Sequence, residues 1–192
     1  MSSCIFPTGL GWVGLSCSDK GLRRLILPTY SIEEVCRRLD VSTKPEVVIP
    51  KNLRGVVERL KLYFSGYKVD FPDRLDLSGS TAFQIKVWEL TSLIPFGNTR
   101  SYAWIAEQSG NTRAVRAVGQ ALGKNPLPII IPCHRVIAKN GSIGGYEGGA
   151  DLKRRLLRLE ASALTRRGVA PGQQTGQIHS DSFPFALMDE SK

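Results

Sequence analysis

The chain has 192 residues, 42% hydrophobic and 22% charged, and 26 Lys and Arg against 17 Asp and Glu give a formal net charge of +9. This composition excludes collagen-like, coiled-coil and fully disordered chains, and the length suits one large domain or two small ones. No apolar run reaches the roughly 20 residues a membrane helix needs, and the first residues lack the basic segment and apolar core of a signal peptide.

The expectation is therefore a protein that is neither membrane-bound nor secreted. Cys4, Cys17, Cys36 and Cys133 show no paired spacing, which argues for a reducing compartment and against a disulfide framework. Charge is uneven. Residues 1–78 carry 12 basic and 9 acidic side chains, residues 79–162 carry 11 and 5, and residues 163–192 carry 3 of each. The middle segment is the candidate for a polyanionic partner.

In chain order, the apolar runs 12–17 and 22–27, split by Ser18-Asp19-Lys20-Gly21, predict a β-hairpin. Ser31 with Glu34 predicts a capping box and a helix over 32–39. Asn52 is placed as the cap of a helix over 53–65, with Leu53, Val56, Val57, Leu60 and Phe64 on its apolar stripe and Gly66 at its end. A short strand is expected near 75–77. This first part, 1–78, reads as a small α+β domain without chemistry of its own. The Pro-, Gly- and Asp-bearing stretch 70–80 reads as a linker.

Thr81 with Gln84 predicts a second capping box, and Phe83, Val87 and Leu90 a helix ending before Pro95. Helices over 102–108 and 112–122, joined by Ser109-Gly110-Asn111, form a helix-turn-helix pattern with Asn111 as cap. In the second, Val115, Val118 and Leu122 make the core stripe. Ala114, Ala117, Gly119 and Ala121 leave a low surface from which Arg116 rises. Ile129-Ile130-Ile131 is a buried run, and Asp151 is placed as the cap of a last helix over 152–163. Beyond it, the polar stretch 166–192 is expected to be disordered or loosely docked.

The chemistry concentrates at Pro132-Cys133-His134. A thiol reacts as thiolate and needs a base to become one. His134 can take the proton, directly or through a water, if its other ring nitrogen has a partner. Glu160 borders the apolar stripe of the last helix and is the candidate partner, since a carboxylate there needs one. Two histidines and no Cys-x-x-Cys give no zinc set.

Pro132-Cys133-His134-Arg135-Val136 resembles the acceptor motif of the O6-alkylguanine-DNA alkyltransferases, the methylated-DNA–protein-cysteine methyltransferases. The likeness runs from about Phe83 to Glu160. It includes Ile94-Pro95-Phe96-Gly97, Ser101-Tyr102, Arg116-Ala117-Val118-Gly119, Asn125-Pro126 and Gly148-Gly149.

The resemblance implies an α+β fold: a small RNase H-like N-terminal domain (1–78) and a mostly helical winged helix-turn-helix domain (79–162); the polar tail (163–192) extends past the resemblance. It implies Cys133 as alkyl acceptor, His134 as proton holder through a water, and Glu160 orienting the imidazole. Arg116 would fill the gap left by an extruded nucleotide, with Ala117 and Arg113 in the DNA contact. Tyr102 would rotate the nucleotide and donate to guanine N3, and Asn125 would stabilise the turn before the acceptor. The carbonyls of Cys133 and Val136 would accept from the guanine amine, and the backbone N–H of Glu147 would reach O6.

The implied partner is double-stranded DNA carrying O6-alkylguanine, bound through the minor groove by a monomer that is cooperative on DNA. No cofactor or metal is implied. The implied location is cytoplasmic in a prokaryote or nuclear in a eukaryote. Glu147 departs from the hydroxyl residue of eukaryotic members. A carboxylate near DNA is expected to repel phosphate. Two other readings are a non-enzymatic alkyltransferase-like lesion-binding protein and a helix-turn-helix regulator.

Overall fold

The computed structural model describes residues 1–41 and 49–165, so most of the expected tail, 166–192, lies outside the described residues. The fold is α+β. The N-terminal sheet has three antiparallel strands rather than two: β1 (Ser2–Thr8), β2 (Gly11–Ser18) and β3 (Gly21–Thr29), in that order. The predicted hairpin is β2–β3. Strand β1 breaks the alternating pattern because Cys4, Ile5 and Phe6 are all buried, one face on each side of the sheet.

Helix α1 (Ile32–Leu39) covers one face, where Ile5 and Ile26 meet Val35 and Cys36. Gly14 permits that approach, since a Cβ there would lie 2.5 Å from the Val35 side chain. Ser31 caps α1 by accepting from the Glu34 N–H. Only that half of the predicted box forms, because the Glu34 carboxylate turns to Arg37.

Helix α2 (Arg54–Phe64) covers the other face, burying Val56, Val57, Leu60, Tyr63 and Phe64. Asn52 is not its cap. A 3-10 turn occupies Lys51–Leu53, and the Asn52 amide donates to Cys17 Sγ at 3.2 Å. The expected strand near 75–77 is a single bridge, Leu22 to Leu75. The linker is strapped to the edge of β3, with Leu22 N–H donating to the Arg74 carbonyl and Asp76 N–H to that of Leu22. Asp76 accepts from Ser18 and Ser78 and pairs with Arg23.

Helix α3 (Ala82–Ser92) starts at the full predicted capping box of Thr81 and Gln84. Helix α4 (Tyr102–Gln108) follows the two-residue strand β4 (Arg100–Ser101). The second helix of the helix-turn-helix is shorter than predicted. Thr112–Ala114 is a 3-10 turn capped by Asn111, and α5 spans Val115–Gly123. Val118, Ala121 and Leu122 are buried, but Val115 is 39% exposed and leaves the predicted stripe. The Trp88 indole N–H donates to the Ala121 carbonyl at 3.0 Å and joins α3 to α5.

After Cys133, β5 (Val136–Ile137) pairs in parallel with β4. The last helix, α6 (Gly149–Thr165), begins before Asp151, which lies in its first turn and is not its cap. One buried apolar cluster runs from Cys4 and Phe6 through α2, α3 and α5 to Leu156 without a break at the linker. No helix among the described residues is long and apolar enough to cross a membrane.

Candidate active site

Three segments converge on Cys133. The first is the turn leaving α5. Asn125 is buried, and its amide donates to the Ile131 carbonyl at 2.8 Å and to Cys133 Sγ at 3.1 Å. Its side-chain oxygen accepts from Leu127 N–H at 3.0 Å. One short side chain thus closes the loop and touches the sulfur. Within that loop Ile129 takes φ +76° and is 2% exposed. For a β-branched residue this costs on the order of 1–3 kcal/mol, and it persists because the surrounding packing fixes it.

The second segment carries Cys133, His134 and Arg135 in a 3-10 turn. The third is α6, whose buried stripe is Leu152, Lys153, Leu156 and Glu160. His134 Nε2 lies 2.8 Å from Glu160 Oε1, and both side chains are fully buried. A carboxylate only accepts, so Nε2 carries the hydrogen and Nδ1 is the free acceptor. Nδ1 is buried with no protein partner. Among the described residues no direct hydrogen bond joins Sγ to the ring.

Glu160 is held from every side. It accepts from Arg135 Nε at 3.0 Å, from the Gly97 N–H at 2.8 Å and from the Tyr63 hydroxyl at 2.8 Å. Gly97 has φ +77°, and a Cβ there would meet Leu164 at 2.4 Å. That position therefore calls for glycine if the backbone is to reach the carboxylate.

Electrostatics follow from this packing. Burial pushes the Cys133 thiol up to about 11, although the Asn125 amide and the Lys153 ammonium pull it down. Burial lowers the imidazole of His134 below its ordinary value, against the pull of Glu160. Burial works to raise Glu160, but the bonds and charges of His134 and Arg135 overcome it and hold it well below the carboxylate range. At rest the pair is neutral thiol and neutral imidazole in front of a charged carboxylate.

Lys153 is buried. Its ammonium donates to the carbonyls of Val136 at 2.7 Å and Ile143 at 2.6 Å, and desolvation drops its pKa to about 8. It lies 5.8 Å from the Tyr102 ring centroid and 5.9 Å from that of Tyr146. Tyr102 is half-buried beside Gly144, at the point where β4 hands over to α4.

The family model for the 6-O-methylguanine DNA methyltransferase DNA binding domain matches residues 82–162. A methylated-DNA–protein-cysteine methyltransferase of Mycobacterium leprae is 51% identical over 147 residues, 74% of this chain and 88% of the relative. One of Methanosarcina barkeri is 38% identical over 167 residues, 83% and 97% of the two chains. The crystal structure of Mycobacterium tuberculosis OGT in complex with DNA aligns with a TM-score of 0.69 at 38% identity, covering 84% of this chain and 93% of that one.

The chain belongs to the methylated-DNA–protein-cysteine methyltransferase family.

In this methyltransferase the structure brings together Cys133, His134, Glu160, Asn125, Val136 and Tyr102. It sets Arg113, Arg116 and Ala117 apart, exposed on the start of α5 and the turn before it. Glu147 stands nearer, close enough for its charge to oppose ionisation of Cys133. Its carboxylate pairs with Arg38 of α1, so its charge is partly neutralised by the protein.

The sequence reading missed Tyr63, Arg135, Lys153 and Gly97 as members of the site. Lys153 had a signal: it stands seven residues before Glu160 and three before Leu156, on the buried face. Tyr63 had a weaker one, three residues after Leu60 on the apolar stripe of α2.

Proposed function

We infer that this methyltransferase repairs DNA by direct reversal, taking the alkyl group from guanine O6 onto Cys133. The observation that carries the residue assignment is the buried His134–Glu160 pair beside the only cysteine of the DNA-binding half. Membership of the family disfavours a lesion-binding protein without chemistry and a sequence-reading regulator.

DNA is the partner. The target carbon is hidden within a duplex, so the nucleotide must leave the stack at a cost of a few kcal/mol. Arg116 fills the gap, with Arg113 and Ala117 against the minor groove. The low surface around Ala117 lets α5 come close. A monomer is enough for this, and the reaction belongs to the compartment that holds DNA. The chain divides near residue 78 into an N-terminal part and an acceptor part ending near 162.

The flipped base enters between Tyr102 and the 133–136 turn. The Val136 carbonyl already accepts from Lys153, and its second lone pair is available to the guanine amine. The backbone N–H of Glu147 reaches O6. The thiol proton passes through a water to His134 Nδ1, and Glu160 neutralises the imidazolium. The thiolate attacks the alkyl carbon in line, and the bond to O6 breaks with its electron pair going to guanine. Tyr102 gives its proton toward N3, and the proton lost by the thiol restores the balance. The product thioether has no labile bond, so each molecule acts once.

The test is a stoichiometric incubation with an O6-methylguanine duplex, followed by the mass of the peptide holding Cys133. A gain of one methyl group there is expected. An unmodified Cys133 with the lesion intact overturns the assignment.

A further inference from the structure

The N-terminal part reads as a scaffold, yet one of its side chains reaches the centre of the relay. Tyr63, from α2, is fully buried. Its hydroxyl donates to Glu160 Oε1 at 2.8 Å and lies 3.2 Å from His134 Nε2. These partners are 97 and 71 residues away in sequence. A phenol this far from water needs a partner, but a single carboxylate oxygen would satisfy it. Here the three groups form a closed triangle: Nε2–H to Oε1, the Tyr63 hydroxyl to the same Oε1, and the Tyr63 oxygen against the Nε2 edge.

We propose that Tyr63 is a positioning residue for alkyl transfer, holding Glu160 and the Nε2–H tautomer of His134 in register so that Nδ1 faces the acceptor thiol. The inference rests on the reading of Cys133, His134 and Glu160 as the reacting relay. Its physical content is specific. With the hydroxyl on Oε1, the carboxylate is pinned opposite Nε2, and turning the ring would set a bare nitrogen against a carboxylate oxygen.

Aromatic neighbours fix the phenol itself. Phe64, Phe71 and Phe96 stand around it at centroid distances of 5.4, 6.4 and 6.2 Å. The sheet and α2 therefore do more than carry the acceptor half. They supply the third corner of its proton relay, which is complete only while the two halves share their core.

The charge effect has a sign. The Tyr63 hydrogen bond draws charge from Glu160, and with it some of that carboxylate's hold on the imidazolium. The other ionisable groups facing the ring are Arg135 on its own turn and Lys153 on α6, and both oppose its protonation. Removing the hydroxyl therefore raises the proton affinity of His134, and strengthening the hydroxyl as a donor lowers it.

The experiment compares wild-type full-length protein, Tyr63→Phe and the protein carrying 3-fluorotyrosine at position 63. It measures single-turnover methyl transfer across pH on a saturating O6-methylguanine duplex and the ring 15N shifts of His134. In Tyr63→Phe, transfer is expected to slow by about tenfold, the size of one charge-assisted hydrogen bond. Its acid limb moves to higher pH and a proton appears on Nδ1, with DNA affinity unchanged. The fluorinated side chain keeps the shape and moves the acid limb the opposite way, and this arm decides the matter if the Phe variant does not fold. Wild-type rates, limb and ring shifts in a folded Phe variant, or no displacement with 3-fluorotyrosine, overturn the proposal. Absence of transfer in the wild type would overturn the relay reading instead, and the ring shifts would still decide what Tyr63 does.

Discussion

The relay and the exposed face of α5 are built on opposite terms. Around Glu160 water is largely excluded: His134, Glu160, Tyr63 and Lys153 have no exposed surface, only 11% of the Arg135 side chain is accessible, and four groups donate to one carboxylate. On α5, Val115, Arg116 and Ala117 are exposed. The first region fixes its geometry before any DNA arrives, as preorganised catalysis requires. The second, on the proposed reading, meets the duplex and leaves its geometry to be set there. Damage to the first should therefore cost both fold and chemistry, and damage to the second should cost function alone.

The largest effect is expected from Cys133→Ala, which removes all transfer while lesion binding survives in a gel-shift or anisotropy assay. It also isolates the thiol's own contribution to stability. The Cys133 thiol has a pKa of about 11 against an ordinary value of 9.0. A raised thiol pKa contributes stability that is present below the unfolded value and lost as pH rises through the folded one. Below pH 9 the term is constant. Between about 9 and 11 the wild type should lose ground to the Ala variant. The relative change is roughly 3 kcal/mol, at about 1.4 kcal/mol per unit. Urea titrations of both proteins at pH 8 and pH 11 measure it. A constant difference would mean that the sulfur is less buried than the fold places it.

Next comes Glu160→Gln. The carboxylate is the shared acceptor of His134, Arg135, Tyr63 and Gly97, and loss of its charge leaves Arg135 unpaired in a largely buried site. Breaking a buried pair costs on the order of 3–5 kcal/mol, and losing general-base assistance slows a reaction by about 10²–10⁴-fold. Chemical denaturation and single-turnover transfer read the two separately. An intact transition midpoint with slow transfer would show that the relay is not part of the structural core.

Much of this contrast was legible in the sequence. Thr81 with Gln84, and Asn111 before the second short helix, are local signals, and both act as caps. A carboxylate on an apolar stripe must find a cation or donor, which points Glu160 to His134, and the two lie 2.8 Å apart. What escaped were long-range partnerships. Tyr63 carries no local mark of a bond made 97 residues away. Asn52 has the right type and place for a cap, but tertiary packing offered it a sulfur instead. Val115 fits the helical period of a buried stripe, yet α5 starts there and leaves it 39% exposed. The left-handed backbone of Ile129 has no signal in a β-branched residue. Local rules fail here where tertiary or functional demands override them.

Arg116→Ala tests the other side of the contrast. A finger that offsets base flipping is worth a few kcal/mol of the transfer barrier, so transfer should fall by about 100-fold. Stability should stay within about 0.5 kcal/mol, the usual range for an exposed position. Binding to undamaged duplex should weaken much less than transfer slows, since phosphate attraction is spread over many cations. Equal losses in binding and transfer would make Arg116 an ordinary phosphate contact.

The smallest effect is expected where the two regimes meet. Arg38 of α1 pairs with Glu147, next to Tyr146, and both side chains remain solvent-accessible, 27% and 41% exposed. An ion pair of this kind contributes about 0.2–1 kcal/mol and is screened by salt. Arg38→Ala should therefore lower stability by no more than about 1 kcal/mol, and the difference from wild type should vanish in 1 M salt. Its functional effect has a sign that stability does not share. Freed of Arg38, the Glu147 carboxylate faces the DNA with its full charge, so duplex affinity should fall most at low ionic strength and recover in Arg38→Ala combined with Glu147→Gln. If the double variant binds no better than the single one, Arg38 contacts DNA itself, and the binding face extends from α5 across to α1.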